Sequence, residues 1–405
     1  FISSISLSSS SICLSEEKPI LIGCPVSMGV FYGPDCRDAQ LLAIDEINAA
    51  GGVDVGGKKR PFKLIVEDTR AMEPGVPVTD ALLAIEKLIT QEKVDFLVGG
   101  PVRSEASFAA RDLITKYKKV WIITTGTYSP KFGDAQKYPY AFRITGHVLW
   151  EIPNVHIGLL KHIRKRFGFN RIYIIVQDVK HARAAGGLVK KLSKKEGFEV
   201  LGFDVYPTGA TDFSMGLLKA KRKKAQILFL WIDMPELTIL AKQYYDLKVP
   251  ALPIGYMGPA EHVQWWPTTE GKGEYFIVDL LNAGNAPSNA TFWTMKFVRA
   301  YEKRYGHEPD AYGLSTSYMG VYILKDAIER AGSLDPDKVA RALEQTDMIG
   351  VFGRIRFDKN HEIIQSMDPK EGAVGTVVQW QKGKRITIFP ELIKVGEIQL
   401  PSWIK

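Results

Sequence analysis

The stretch LLAIDEINAAGGVDVGGKK, residues 41–59, decides how this chain folds. Ala39, Ala43, Ile47 and Ala50 recur at four-, four- and three-residue spacing, which puts them on one face of a helix. Upstream, Pro34 and Asp35 suit a first helical turn. Gly51 and Gly52 then supply a left-handed stop, and the chain turns back towards FKLIVEDT (62–69). PILIGCP (19–25) is a matching apolar run before the helix. Continuous apolar strands joined by a helix read as a parallel unit covered on both faces.

The unit repeats along the chain. VTDALLAIEKLITQ (78–91) and SEASFAARDLITKY (104–117) are helical patterns, and VDFLVGG (94–100) and VWIITT (120–125) are buried strands. After FRITG (142–146) the rhythm restarts with the strands RIYIIVQD, EVLGFDVYP and QILFLWID. AAGGLVKKLSKKEG, FSMGLLKAKRKKA and ELTILAKQYYDL are the helices between and after them. Two successive units of this kind predict an α/β protein with two doubly wound parallel-sheet lobes. From residue 273 the order changes. GEYFIVDL reads as a crossing strand, three helices follow within residues 290–346, and GTVVQWQKGKRITIF (375–389) alternates as two strands around a Lys-Gly turn.

Bulk composition agrees. A chain of 405 residues is too long for one ordinary core and fits two domains. With 45% hydrophobic and 24% charged residues it has the make-up of a globular protein. The net charge of +8 is spread over Lys-rich helices and reads as solvated surface rather than as a face for an acidic partner or a membrane. Residues 1–15, FISSISLSSSSICLS, are Ser-rich and uncharged, with small residues where an export signal is cleaved. They read as the tail of a secretory signal, within a segment taken as 1–18; a plain disordered N-terminus is the alternative. Cys13, Cys24 and Cys36 show neither paired count nor metal-site spacing, so buried thiols are expected of the latter two.

Several enzyme-like features are decoys. Gly52, Gly57 and Lys58 match the start of a phosphate loop, but Lys59 stands where a magnesium-binding hydroxyl belongs. The stretch also follows a helix and precedes a strand, the reverse of a phosphate cradle. There is no G-x-S-x-G elbow, no H-E-x-x-H and no dinucleotide fingerprint, and the seven histidines are scattered. Catalysis is therefore disfavoured, and no metal or cofactor is expected. The basic run KAKRKKA (219–225) ends a helix, where cations complement its dipole, and lacks the aromatics of a nucleic-acid surface.

In open α/β sheets ligands bind beyond the carboxyl ends of the strands. The loops there are SMGVFYG (27–33), GPVRSEAS (100–107), TGTYSP (125–130), QDVKHARA (177–184), IDMPE (232–236) and GYMGPAEHVQWWP (255–267). Their Gly, Ser, Thr and aromatic residues suit a small-molecule cleft. Ser104 can cap the next helix and leave N–H groups for a ligand carboxylate, with Arg103 as a clamp. Equally, Ser104 only caps and Arg103 pairs with Glu105. Tyr32 and Tyr128 can wall the cleft or pack on their own loops. Trp231 is as much core as cleft, while Trp265 and Trp266 read as cover for a lobe edge. Asp178, His181, Asp233 and Tyr256 complete the candidates on the second lobe.

In combination, LLAIDEINAAGGVDVGGKK, VDFLVGG, VWIITT with TGTYSP, YAFRITG, GKGEYFIV and GRIRFDKNHE resemble, in order, the type I periplasmic solute-binding proteins of ABC importers, in the leucine/isoleucine/valine-binding branch. The resemblance spans about residues 19–390. It implies two lobes joined by three crossings near Arg143–Gly146, Val278–Leu281 and Ala373–Val377, with residues 19–144 plus 279–372 in lobe 1 and 145–278 plus 373–405 in lobe 2. It implies a ligand held between lobes that close like a hinge, docking on a membrane permease, export from the cytoplasm and a monomeric state. Asp45 and Glu46 then look like exposed surface.

The same resemblance distributes roles. Tyr32 matches the tyrosine after the first strand. The serine that holds a ligand carboxylate falls on Arg103 or Ser104. Thr125, Gly126, Thr127 and Tyr128 match the next ligand loop, with a tyrosine where a threonine is usual. On the second lobe an aromatic falls on Ala182 and tyrosines fall on Asp233 and Met234. The acid for a ligand ammonium is Glu261, or its place is taken by Met257 in a shifted register. A hydrophobic or branched amino acid is the first expectation for the ligand, an aromatic acid or short amide the second. A sensory module of the same fold and a hydrolase are the rival classes.

Overall fold

The computed structural model describes residues 18–30, 32–73 and 75–404. The segment read as an export signal, with Cys13, lies outside the described residues apart from Lys18. The first part of the chain runs β1 (Ile20–Val26), α1 (Tyr32–Ala49), the hairpin β2 (Val53–Val55) and β3 (Lys58–Arg60), then β4 (Phe62–Asp68). It continues through α2 (Val78–Thr90), β5 (Phe96–Val98), α3 (Ser104–Lys116), β6 (Trp121–Ile123) and β7 (Ala141–Arg143). These strands form one parallel sheet in the order β4-β1-β5-β6-β7.

The Gly51–Gly52 helix stop is a two-bond cap. Gly51 N–H donates to the Asn48 carbonyl at 3.0 Å and Gly52 N–H to the Ile47 carbonyl at 2.9 Å, both glycines at positive φ. A methyl group on Gly52 would stand 2.5 Å from the Arg60 carbonyl oxygen. The sequence that mimics a phosphate loop is the β2–β3 hairpin. Asn48 ties the helix end to the next strand, its amide accepting from Phe62 N–H at 2.8 Å and donating to the Phe62 carbonyl at 2.9 Å. Of the helix acids, Asp45 is exposed as expected, whereas Glu46 is half-buried. Glu46 accepts the Tyr318 and Tyr322 hydroxyls, and Asp45 pairs with Arg304 at 2.6 Å.

The second lobe begins with α4 (Val148–Glu151), which passes through one π-type turn into α5 (Ile157–Phe167). There follow β8 (Arg171–Gln177), α6 (Lys180–Lys195), β9 (Glu199–Tyr206), α7 (Ser214–Arg222), β10 (Ile227–Trp231) and α8 (Leu237–Asp246). β11 (Leu252–Tyr256), the short α9 (Gly258–Glu261) and α10 (Trp265–Thr268), and β12 (Ile277–Asp279) complete the parallel part. Its order, β9-β8-β10-β11-β12, repeats that of the first sheet. Ile172, Ile174, Val176, Ile227 and Phe229 belong to one core, whereas Tyr173, Ile175, Leu228 and Leu230 belong to the other. Alternate residues of the same strands thus bury opposite faces, which is why these strands are apolar throughout.

The chain then returns to the first lobe as α11 (Phe292–Tyr305), α12 (Leu314–Ala331), α13 (Pro336–Glu344), β13 (Met348–Gly350) and β14 (Gly353–Ile355). β15 (Val377–Gln381) and β16 (Lys384–Phe389) add antiparallel to β12 across a Lys382–Gly383 turn. The backbone passes between the lobes three times, after β7, after β12 and before β15. The latter two passages are bonded together, Leu280 N–H to the Thr376 carbonyl at 2.8 Å and Ala283 N–H to the Val374 carbonyl at 3.0 Å. Cys24 and Cys36 are buried free thiols. Among the described residues no helix is long and apolar enough to cross a membrane.

Candidate functional site

Each sheet reverses its strand order beside its first strand, so the loops after β1 and β5, and after β8 and β10, open a crevice. On the first lobe two of the facing loops are stitched together. Val102 and Gly126 form a parallel bridge, and Thr127 N–H donates to the Val102 carbonyl at 2.9 Å. Ser107 Oγ lies 2.6 Å from Thr127 Oγ1, both residues buried. The stitching forces φ of 67° on Val102 and 61° on Thr127, a region that β-branched residues avoid. Gly126, at φ 64°, permits it: a methyl there would stand 2.2 Å from the Val102 carbonyl oxygen.

Arg143, fully buried at the first crossing, holds this loop from below. Its Nε donates to Glu362 Oε2 at 2.6 Å, and its Nη1 donates to the Thr127 carbonyl and to the Ser129 carbonyl at 2.8 Å. Burial pushes the Glu362 carboxyl above the usual range even though Arg143 pulls it back.

On the second lobe, His181 in the first turn of α6 bonds Asp233 after β10. Asp233 N–H donates to Gln177 Oε1 at 3.1 Å, which ties the two loops at the switch point. Burial pulls the His181 imidazole down, but Asp233 and, across the cleft, Glu105 outweigh it and leave it raised. Asp178, on the loop before α6, pairs with Arg183 in that helix at 2.5 Å.

The lobes meet over rings and acids. Tyr32 and Tyr128 lie 4.8 and 6.2 Å from Tyr312, and Trp231 lies 5.1 Å from Tyr256 (centroid distances). Tyr256 packs against the cores of both lobes. Glu261, buried at the end of α9, accepts Tyr312 N–H at 3.1 Å, a bond between the lobes. Burial raises the Glu261 carboxyl well above its ordinary value, Tyr312 N–H lowers it, and Asp279 and Asp233 raise it further. Glu151 is raised by burial and by Asp279, and His156 Nε2 lies 3.1 Å from Asp279 Oδ2. Several buried atoms here have no hydrogen-bond partner: the Tyr128 hydroxyl, Trp231 Nε1, Asp233 Oδ1, Glu151 Oε1 and Glu261 Oε1. Such atoms are costly unless something else satisfies them.

Of the sequence candidates, Tyr32, Tyr128, Trp231, Asp233, Tyr256 and Glu261 gather at this seam, with Thr125, Gly126 and Thr127 behind Tyr128. Arg103 and Ser104 stand at the start of α3 in a different arrangement from the one expected. Arg103 is the residue before the helix, no side chain caps it, and Ser104 is its first residue. The Arg103 guanidinium donates to the Val76 carbonyl at 3.4 Å and forms no pair with Glu105. Asp178 is engaged by Arg183. Met257 is fully buried in the core under the second sheet with Trp265 and Phe276, because strand alternation after Tyr256 turns it away from the seam. Trp265 is likewise core rather than edge cover, whereas Trp266 stacks on Trp380. Residues missed from the sequence are Tyr312, Arg143, Glu151, His156 and Asp279. The one local signal was Gly313, at φ 85°, which sets Tyr312 just ahead of α12.

Two doubly wound lobes facing each other across a buried seam of rings and acids define a two-lobed binding fold. The chain belongs to the periplasmic binding protein family, whose profile matches residues 26–381. A leucine-, isoleucine-, valine-, threonine- and alanine-binding protein from Pseudomonas aeruginosa is 27% identical over 363 residues, 87% of this chain and 86% of that protein. The solved structure of a branched-chain amino acid transporter substrate-binding protein from Streptococcus pneumoniae, in complex with isoleucine, is similar with a TM-score of 0.72 at 20% identity, covering 95% of this chain and 100% of the other. A solute-binding protein of an ABC transporter from R. palustris, in complex with 4-hydroxybenzoate, is similar with a TM-score of 0.70 at 19% identity, covering 95% and 98%. These two likenesses establish a shared fold.

Proposed function

We propose that this protein is the exported solute-binding component of an ABC importer and holds a hydrophobic amino acid between its lobes without altering it. Residues 19–144 with 279–372 form one jaw and 145–278 with 373–405 the other. The observation that supports this most is the set of unpartnered buried atoms at the seam. Glu261, Asp233 and Glu151 offer oxygens to an ammonium, and Trp231 Nε1 and the Tyr128 hydroxyl offer hydrogens to a carboxylate. The N-terminus of α3 adds backbone donors for the same carboxylate. A zwitterion satisfies both sets, and the tyrosines supply flat walls for an apolar side chain. The name of the Pseudomonas relative points the same way. A monomer that delivers its ligand to a membrane permease follows from this reading.

An aromatic carboxylate is the second reading. Five rings face the seam, and burial favours the protonated Glu261 carboxyl, which donates to an anion instead of binding a cation. Calorimetric titration of the purified protein with leucine, isoleucine, valine and 4-hydroxybenzoate separates the two. Glu261→Gln should weaken amino-acid binding by about 1.5–3 kcal/mol, the worth of a charged hydrogen bond, and spare an aromatic acid. Amino-acid affinity untouched by this change would remove the ammonium role. Turnover of a bound amide or ester would replace the transport reading with an enzymatic one.

A further inference from the structure

Beside the seam, a second polar cluster reaches from one lobe to the other. Asp35 lies in the first turn of α1 and Asp310 in the loop between α11 and α12, both on the first lobe. His262 follows α9 on the second lobe. One oxygen from each aspartate and one imidazole nitrogen all lie within 4.8 Å of one another. His262 Nε2 and Asp310 Oδ2 are 3.4 Å apart, close to the separation of two donors bound at about 2.1 Å to one tetrahedral ion; His262 Nδ1 accepts Gln264 N–H at 3.2 Å, so ligation through Nε2 requires the ring proton to move to Nδ1 at the expense of that bond.

The charges are poorly balanced. Asp310 is fully buried. Its Oδ2 accepts Val263 N–H at 3.0 Å, and its Oδ1 has no hydrogen-bond partner. Asp35 Oδ2 has none either, and burial together with the Asp310 charge pushes the Asp35 carboxyl up to about 7. The nearest cations, His307 and Arg385, form no hydrogen bond to Asp310. His307 Nδ1 is 3.7 Å from Asp310 Oδ1 but 2.9 Å from the Glu308 carbonyl. Arg385 gives Nη1 to the Glu261 and Asn285 carbonyls and Nη2 to the Pro309 carbonyl and Glu308, its buried Nε has no partner, and it faces Asp310 without a hydrogen bond to it.

We propose that Asp35, His262 and Asp310 form a site for one divalent first-row transition cation that spans the two lobes. Two carboxylates and an imidazole suit zinc, cobalt or manganese, and water completes the shell. Calcium, which takes six to eight oxygens, is a poor match. The ion would cancel the two carboxylate charges. Because its ligands come from both lobes, it would favour the state in which they meet, and cation and cleft ligand would bind with positive coupling.

The test uses chelator-treated protein titrated with zinc in a calorimeter and with cobalt in a visible spectrometer. Wild type is compared with Asp35→Asn, Asp310→Asn and His262→Gln. Asp310→Asn keeps an oxygen for Val263 N–H, and His262→Gln removes a partly exposed ring, so the metal-free circular dichroism spectra should match. The expected result is one zinc per chain, ligand-field absorption from cobalt, and affinity lost by more than about a hundredfold in each variant, beyond the effect of an outer-sphere partner. No saturable zinc binding by wild type, or binding that Asp310→Asn and His262→Gln leave intact, overturns the assignment.

Discussion

Replacing Arg143 with methionine tests whether the ligand loop is held electrostatically. The change strands Glu362, which is buried and whose Oε2 accepts from Arg143 Nε at 2.6 Å. A stranded buried carboxylate can escape by taking up a proton. At pH 7 that costs at most roughly 4 kcal/mol, from 1.36 kcal/mol per unit over the ~2.7 units above an ordinary glutamate. The Thr127 and Ser129 carbonyls also lose a donor, at about 1 kcal/mol each. The variant should therefore lose about 3–6 kcal/mol at pH 7, in line with the breaking of a buried pair. Its native state now binds a proton that the unfolded chain at pH 7 does not, so its stability falls as pH rises. At pH 5 the deficit should shrink by roughly 2–3 kcal/mol. Urea unfolding of wild type, Arg143→Met and the double variant with Glu362→Gln, at both pH values, measures this. A deficit that is the same at pH 5 and 7, or a double variant that keeps the pH dependence, refutes the reasoning.

Three further outcomes follow from particular contacts. Gly126→Ala should open the bridge to Val102, costing about 1–3 kcal/mol of stability and about tenfold in affinity for the cleft ligand; calorimetry showing full affinity would argue against a rigid loop. His181 is raised by Asp233 and Glu105, so its contribution is present in full at low pH and lost as pH rises through the folded value. His181→Asn should accordingly lower the thermal midpoint at about pH 5.5 and matter less at about pH 8, and an equal deficit at both would count against the pair. Asn48→Ala removes both bonds to Phe62 and should cost about 1–3 kcal/mol in urea unfolding; a loss under about 0.5 kcal/mol would show that the glycine stop alone positions β4.

What could be read from the sequence was local. The alanine and isoleucine spacing of α1, the glycine stop, the apolar strands and the Lys382–Gly383 turn are each decided by a few neighbouring residues, and the sheet order follows from stacking such units. Rim residues close behind a strand end, such as Tyr32, Tyr128 and Asp233, follow from the same logic. Tyr312, Glu151 and Asp279 do not. They reach the seam because the chain crosses between the lobes, and no periodicity in their own segments says where a crossing points. Glu46 failed as surface for a related reason: the tyrosines that bond it lie more than 270 residues away on α12. Met257 failed because a strand alternates, so one step past Tyr256 faces the core.

The seam also bears on how closure could be driven on the proposed reading. A lobe–lobe bond joins Tyr312 N–H to Glu261, while Glu261, Asp233 and Glu151 each keep a buried oxygen with no protein hydrogen-bond partner. Meeting rims that leave these oxygens unpaired carry a penalty of about 1–3 kcal/mol for each such group. Moving a two-state equilibrium from 1:99 to 99:1 needs about 5.5 kcal/mol of differential affinity. Two or three charged hydrogen bonds, at about 1.5–3 kcal/mol each, suffice if they form only when both rims are present. Acids on the second lobe, and the Tyr128 hydroxyl and α3 N-terminus on the first, meet that condition, since a ligand resting on either rim alone leaves the other rim's groups in water. Recognition and closure then draw on the same bonds, and a ligand that satisfies one rim only would bind without shutting the cleft.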